Sequence, residues 1–255
     1  MKILIVSSEV TFVPNNYRGF LESLLSSLKT EMKEGKLDVQ IALLKNNSLI
    51  LPIKGLFFAL IGARKIGMHL LMNSLAARFD DKKNLTQHFS VKIHYFESPN
   101  SDEFINFLTT QKIDLLINAR TRFIYKNKTL KIPSIASLNI HHGLLPDNRG
   151  TMCDLWALYE DRPTGFIIHK MEKKIDDGVI VRRVQTSNAG EKKDYAKLIE
   201  ESAHLEGKVT AQLIRELKLS QKIPIEMQNI STNVTYKKNP SFWVIRKILA
   251  KGIKI

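Results

Sequence analysis

Residues 134–150 read SIASLNIHHGLLPDNRG. The first seven, 134–140, read as a strand. From Asn139 onward come two histidines, a glycine, a leucine pair closed by Pro146, and Arg149. A strand that ends in polar and ring-bearing side chains suits the carboxyl edge of a parallel sheet, where ligand crevices form. The flanking sequence supplies such a sheet. KILIVSS (2–8), LDVQIALL (37–44), VKIHYFES (91–98) and IDLLIN (113–118) read as strands. RGFLESLLSSLKTEMK (18–33) places Phe20, Leu24, Leu25, Leu28 and Met32 at helical spacing. SDEFINFLTTQ (101–111) opens with a serine cap and two acids, as a helix does. This alternation predicts an α/β fold, a mostly parallel sheet with helices on both faces.

The chain has 255 residues, enough for one large domain or one domain with a modest appendage. A single cysteine, Cys153, excludes an internal disulfide framework and a cysteine-rich zinc site. It fits a reducing, cytoplasmic setting. MKILIVSSEV reads as a first strand rather than a signal peptide. No run reaches the ~18 apolar residues of a spanning helix. The formal charge of +14 favours an anionic partner, or a lysine-rich chain with its charge spread over solvated faces. Half of that excess lies in 218–255, where Lys218, Lys222, Lys237, Lys238, Arg246, Lys247, Lys251 and Lys254 face one acid, Glu226.

Three further stretches matter. Residues 49–79 are strongly apolar, with Lys54, Arg64, Lys65 and Arg78 and no acid. They read as one or two buried helices broken near Gly62, or as a basic amphipathic patch on a membrane. Residues 192–217 read as a long helix and 227–240 as extended or loop structure. Residues 241–255 read as a short basic amphipathic helix, the second candidate for membrane-surface contact. A homodimer is also admitted.

Chemistry-bearing residues gather near one proposed edge. Asn139, His141 and His142 leave one strand; TGFIIHK (164–170) ends a second in His169; KKIDDGVIVRRV (173–184) carries Asp176 and Asp177 at a glycine turn. An amide, an imidazole and a carboxylate suit acyl transfer: a donor for the oxyanion, a proton relay, and a group that orients it. The same residue types after a strand are also ordinary turn residues and caps. Adjacent histidines on a strand point to opposite faces, and no third ligand has metal spacing, so no metal is expected. Cys153 has no local base and reads as buried. Arg149 reads as an anion ligand or a surface ion pair, Asp177 as a solvated turn residue, and Trp156 and Tyr159 as core. His169 either orients the Asp176 loop or fills the core.

SLNIHHGLLPDNRG, then DLWAL, then PTGFIIHKMEKKIDDGVIV resembles the folate-dependent formyltransferases. These include the glycinamide ribonucleotide, methionyl-tRNA and nucleotide-sugar N-formyltransferases. Their pattern of Asn-x-His-x-x-Leu-Leu-Pro, a Gly-x-x-x-His strand and Asp-x-Gly is matched by Asn139, His141, Leu144, Leu145, Pro146, Gly165, His169, Asp176 and Gly178. The resemblance is specific over about 90–185 and weaker over 1–89. It implies a formyltransferase-like, Rossmann-like catalytic domain over 1–217, followed by a short basic extension over 218–255. It implies 10-formyltetrahydrofolate as donor, held near 116–125 and the Asp176 loop, with Leu116, Ile117, Asn118, Ala119, Asp176, Asp177 and Gly178 as contacts. The acceptor would be a primary amine. Asn139 would stabilise the oxyanion, His141 would polarise the formyl oxygen or relay a proton, and Asp176 would orient His141 or a water.

Gly143 departs from the family's serine, which would loosen the turn. SSEVTFVPNNYRG (7–19) is no phosphate cradle, which argues against a glycinamide ribonucleotide acceptor. The stretch after the long helix is too short for the C-terminal barrel of methionyl-tRNA enzymes. The expected acceptor is therefore an amino sugar on a nucleotide or other anionic carrier. A formyltetrahydrofolate hydrolase releasing formate, and a non-catalytic nucleic-acid or membrane-surface binder, are the alternatives.

Overall fold

The computed structural model describes residues 1–46, 48, 50–79, 81–146, 148–191, 193–227 and 236–255. Its strands are β1 (Lys2–Ser8), β2 (Asp38–Leu44), β3 (Lys92–Phe96), β4 (Leu115–Ala119), β5 (Ala136–His142), β6 (Arg149–Gly150), β7 (Thr164–Lys170), β8 (Ile180–Ser187) and β9 (Tyr236–Lys237). Its α-helices are α1 (Arg18–Lys33), α2 (Ile50–Leu60), α3 (Arg64–Arg78), α4 (Asp81–His88), α5 (Asp102–Gln111), α6 (Asn127–Leu130), α7 (Cys153–Tyr159), α8 (Tyr195–Ser220) and α9 (Phe242–Ala250).

Seven strands form one sheet in the order β3-β2-β1-β4-β5-β7-β8. The first five run parallel. β7 runs antiparallel to β5, and β8 antiparallel to β7. β1 starts the sheet because its apolar run is buried on both faces, as a central parallel strand requires. Successive side chains alternate between faces. Ile3 and Ile5 join a cluster with Phe20, Leu24 and Leu28 of α1 and Leu213 and Leu217 of α8. Leu4 and Val6 face Phe104 and Leu108 of α5. The α/β sheet covered on both faces is therefore observed, and the long connections of β1 to β2 and β2 to β3 carry helices as parallel pairing demands. The Ser101 hydroxyl accepts from the Phe104 N–H at 3.3 Å and caps α5 as its sequence predicts.

Helix α8 runs past residue 217 to Ser220; Lys192, where the sequence-based helix begins, lies outside the described residues, as do 228–235 of the expected loop. Among the described residues, 242–255 pack against the body of the protein: Ile245, Ile248, Ile253 and Ile255 join a cluster with Ala63, Ile66, Leu155, Leu158, Tyr195 and Leu198.

The stretch 49–79 does break near Gly62, into α2 and α3. The expectation of buried helices is corrected for α2, where only Gly55 is buried; α3 buries Ile66, Gly67, Leu70, Asn73 and Ser74. Apolarity on all sides marks a helix that wants cover, and the chain itself covers one side alone. Among the described residues, no helix is long and apolar enough to cross a membrane.

Candidate active site

The site is built where β4, β5 and β7 lie side by side. Register places Asn118 opposite Asn139 and Asn139 opposite His169. Three polar side chains thus stand in a row across three strands. The Asn118 amide donates to Asn139 Oδ1 at 2.8 Å, and the Asn139 amide meets His169 Nε2 at 3.0 Å. The proton positions follow from the ends of the row. His169 Nδ1 lies 2.9 Å from the Lys170 carbonyl, an acceptor, so Nδ1 carries the hydrogen. Nε2 then accepts, and the group facing it is the Asn139 NH2. Burial, followed by the neighbouring His141, pulls the His169 pKa down to about 4, so the ring is neutral at pH 7. Of the two amide hydrogens of Asn139, one is used by His169 and the second is available. Asn118 is itself held: its Oδ1 accepts from Thr121 Oγ at 2.7 Å and Tyr125 Oη at 3.2 Å.

Two residues on, His141 projects from the same face of β5. Its Nε2 donates to the Asn148 carbonyl at 2.7 Å. Its Nδ1 faces Asp176 Oδ1 at 3.6 Å, an ion-pair distance. His169 Nε2 lies 3.7 Å from the same oxygen. The Gly150 N–H donates to Asp176 Oδ2 at 3.3 Å. Asp176 is buried and sits at φ 52°, the left-handed region that non-glycine residues seldom adopt. Such backbone persists where the surroundings over-determine it. Gly178 is one determinant: a Cβ there would stand 1.9 Å from the Lys170 carbonyl oxygen, so only glycine lets the turn press onto the end of β7. The structure therefore brings Asn139, His141 and Asp176 together and adds His169 to them.

The other sequence-marked residues are placed as follows. Leu116, Ile117 and Ala119 are fully buried in β4, between β1 and β5. Asn118 acts through its side chain, on Asn139. Arg149 is buried rather than at the surface, and its Nη1 donates to Asp177 Oδ1 at 2.7 Å. That hydrogen bond holds the Asp177 carboxyl below its ordinary pKa, so Asp177 is a tethered residue, not a merely solvated one. Trp156 and Tyr159 are half-buried rather than core. Cys153 is buried, and burial followed by the Asp154 charge pushes its thiol pKa up, so it stays protonated. Gly143 does not loosen its turn. A Cβ there would meet Cys153 Cβ at 2.6 Å and the Asn148 carbonyl at 2.8 Å, and its φ is +143°. Among the described residues, no group of three or more His, Cys, Asp or Glu is arranged to hold a metal ion.

His142 points to the opposite face of β5, into a second polar cluster. Its Nδ1 bonds Asp154 Oδ2 at 2.8 Å, and its Nε2 pairs with Glu206. The Tyr17 hydroxyl donates to Glu206. Arg120 stands 3.6 Å from Glu206 and 5.1 Å above the Tyr17 ring. Burial and the Arg120 charge oppose protonation of His142, yet Glu206 and Asp154 hold its pKa above the ordinary value. Arg120, His142, Asp154 and Glu206 thus form one buried charged cluster directly beneath β5. Sequence reasoning passed over Glu206. The available signal was an acid inside the apolar stripe of α8, between Leu198 and Leu213.

A model of the formyl transferase family matches residues 74–214. The bifunctional polymyxin resistance protein ArnA of Wigglesworthia glossinidia brevipalpis is 35% identical over 117 residues, 46% of this chain and 17% of that protein. GDP-perosamine N-formyltransferase of Brucella melitensis is 28% identical over 142 residues, 54% of each chain. The matches thus span about half or less of these curated relatives. A sugar N-formyltransferase from Shewanella shares the fold with a TM-score of 0.58 at 15% identity, over 93% of this chain and 76% of that one. Glycinamide ribonucleotide transformylase 1 of Symbiobacterium toebii does so with a TM-score of 0.55 at 16% identity, over 88% and 93%. With the family's model covering more than half of its length, and the Asn139, His141 and Asp176 positions within that match, this chain belongs to the formyl transferase family.

Proposed function

We propose that this protein transfers a formyl group from 10-formyltetrahydrofolate to a primary amine, an amino sugar on a nucleotide or other anionic carrier. One observation carries the reading: an Asn139 amide locked by Asn118 and His169, beside a His141–Asp176 pair. The amine nitrogen attacks the formyl carbon, the carbonyl becomes an oxyanion, and collapse breaks the bond to the folate N10. The formamide leaves, and N10 takes up the proton that the amine gives up. The second Asn139 hydrogen donates to the oxyanion. His141 adds a donor when its Nδ1 carries a proton. Asp176 accepts the amine proton, directly or through water. No covalent enzyme intermediate is needed.

The residues suit the folate donor. Residues 121–126, past the carboxyl end of β4, have no regular secondary structure. The Thr121 N–H, the Ile124 carbonyl and both Lys126 backbone groups are bonded within the protein, and in this reading the backbone of Arg122, Phe123 and Tyr125 meets the edge of a heteroaromatic ring. In this reading the ring lies between that segment, rising from Leu116–Ala119, and the Asp176–Gly178 turn. The amino-sugar acceptor is supported by the relation to GDP-perosamine N-formyltransferase and by the +14 charge.

Calorimetry with a non-transferable analogue of 10-formyltetrahydrofolate tests the donor site. Saturable micromolar binding is expected. Absence of binding to folded protein overturns the reading.

A further inference from the structure

We propose that the α2–α3 hairpin, with α9 beside it, is a docking surface for anionic lipid membranes. This inference is independent of the formyl-transfer reading.

The two helices press together through backbone. A Cβ on Gly67 would stand 2.4 Å from the Gly55 carbonyl, and one on Gly55 would stand 2.8 Å from the Gly67 carbonyl. With that inner side closed, the large side chains are left outside. Ile53, Phe57 and Leu60 follow one another at helical spacing along α2 and are exposed, Phe57 at 57% and Leu60 at 77%. Met68, Met72 and Leu75 do the same along α3, and Phe79, just past its end, is 78% exposed. Helix α9 abuts the turn between them: Leu249 Cδ1 lies 2.8 Å from where a Gly62 Cβ would be. Its N-terminal Trp243 is 74% exposed. Rows of exposed apolar side chains of this kind mark an interaction site.

Charge selects the occupant. Residues 50–79 contain Lys54, Arg64, Lys65 and Arg78 and no acid. Lys54, Arg64 and Arg78 are exposed, as are Arg246 and Lys247 on α9. A second copy seated on this face would set cations against cations. A bilayer with anionic headgroups takes apolar side chains into its interface and pairs with the surrounding cations. An exposed tryptophan suits the headgroup level. The 11 residues of α2 span roughly 16 Å, short of the ~30 Å hydrocarbon core, so the hairpin lies in the interface and does not cross.

The test is co-sedimentation of the full chain with vesicles of phosphatidylcholine alone, or with a quarter phosphatidylglycerol, while Trp243 emission is followed. We expect binding to the anionic vesicles at least tenfold tighter than to the neutral ones, with a blue shift lost in Trp243→Phe. The Ile53→Gln/Phe57→Gln/Leu60→Gln variant should bind at least tenfold more weakly with an unchanged circular dichroism spectrum, since those side chains are exposed. Lys54→Gln/Arg64→Gln/Arg78→Gln, which keeps the apolar face, should lose the preference for anionic lipid. Equal partition into both vesicle types, or none, overturns the proposal. So does a dimer in solution that the apolar variant dissociates, because the occupant is then a second copy.

Discussion

Asn139 meets His169 Nε2 at 3.0 Å, and the neutral His169 ring can only accept in that bond. A histidine on one strand thus fixes which way an amide on the next strand points. His169 touches no reacting atom in this account and is a positioning residue. His169→Gln keeps a polar group on β7 and should lower kcat by ten- to a hundredfold with little change in KM, the scale of a misplaced catalytic group. His169→Phe should do worse. A KM effect without a kcat effect would contradict the positioning role.

The same ring gives the protein a pH signature. A histidine in an unfolded chain titrates near ~6.5, while His169 is pulled down to about 4. Between these values the unfolded chain binds a proton that the folded protein refuses. Stability from this group therefore falls as pH drops from about 6.5 toward 4. Denaturant midpoints measured over that range should slope less steeply in His169→Gln than in the unaltered protein. Equal slopes would mean that His169 is not held neutral.

Beneath the site, Glu206 is fully buried and balances Arg120 and His142. Glu206→Ala leaves the buried Arg120 without its carboxylate partner, which typically costs ~3–5 kcal/mol. Urea unfolding should show that loss. A change under about 1 kcal/mol would mean that the cluster is not balanced as the distances imply.

Gly178→Ala places a Cβ 1.9 Å from the Lys170 carbonyl, and the clash is with backbone, so the turn carrying Asp176 must move. Transfer should fall by tenfold or more even if the protein still folds. Unaltered activity would show that Asp176 needs no such placement.

The strands were legible because apolar runs of strand length have few other uses: residues 2–8, 164–170 and helix 18–33 have the bounds that their sequence patterns give. The Asn139, His141 and Asp176 set was legible through spaced motifs. The Asn118–Asn139–His169 row was not. It depends on strand order and register, which join residues 21 and 30 positions apart, and no local pattern encodes a neighbour across a sheet. The hairpin at 50–79 misled for a related reason. Apolarity shows that a helix needs cover, while only the tertiary structure shows that one side has none.

The central claim is that Asn139, His141 and Asp176 carry formyl transfer to an amine. The direct measurement is tetrahydrofolate release from 10-formyltetrahydrofolate, with and without nucleotide-linked amino sugars, for the unaltered chain and for Asn139→Ala. The account predicts release that requires the amine and falls about 10²–10³-fold in Asn139→Ala, the ~2.7–4 kcal/mol of one lost oxyanion donor. Release that proceeds equally without amine, or that survives Asn139→Ala, would contradict it.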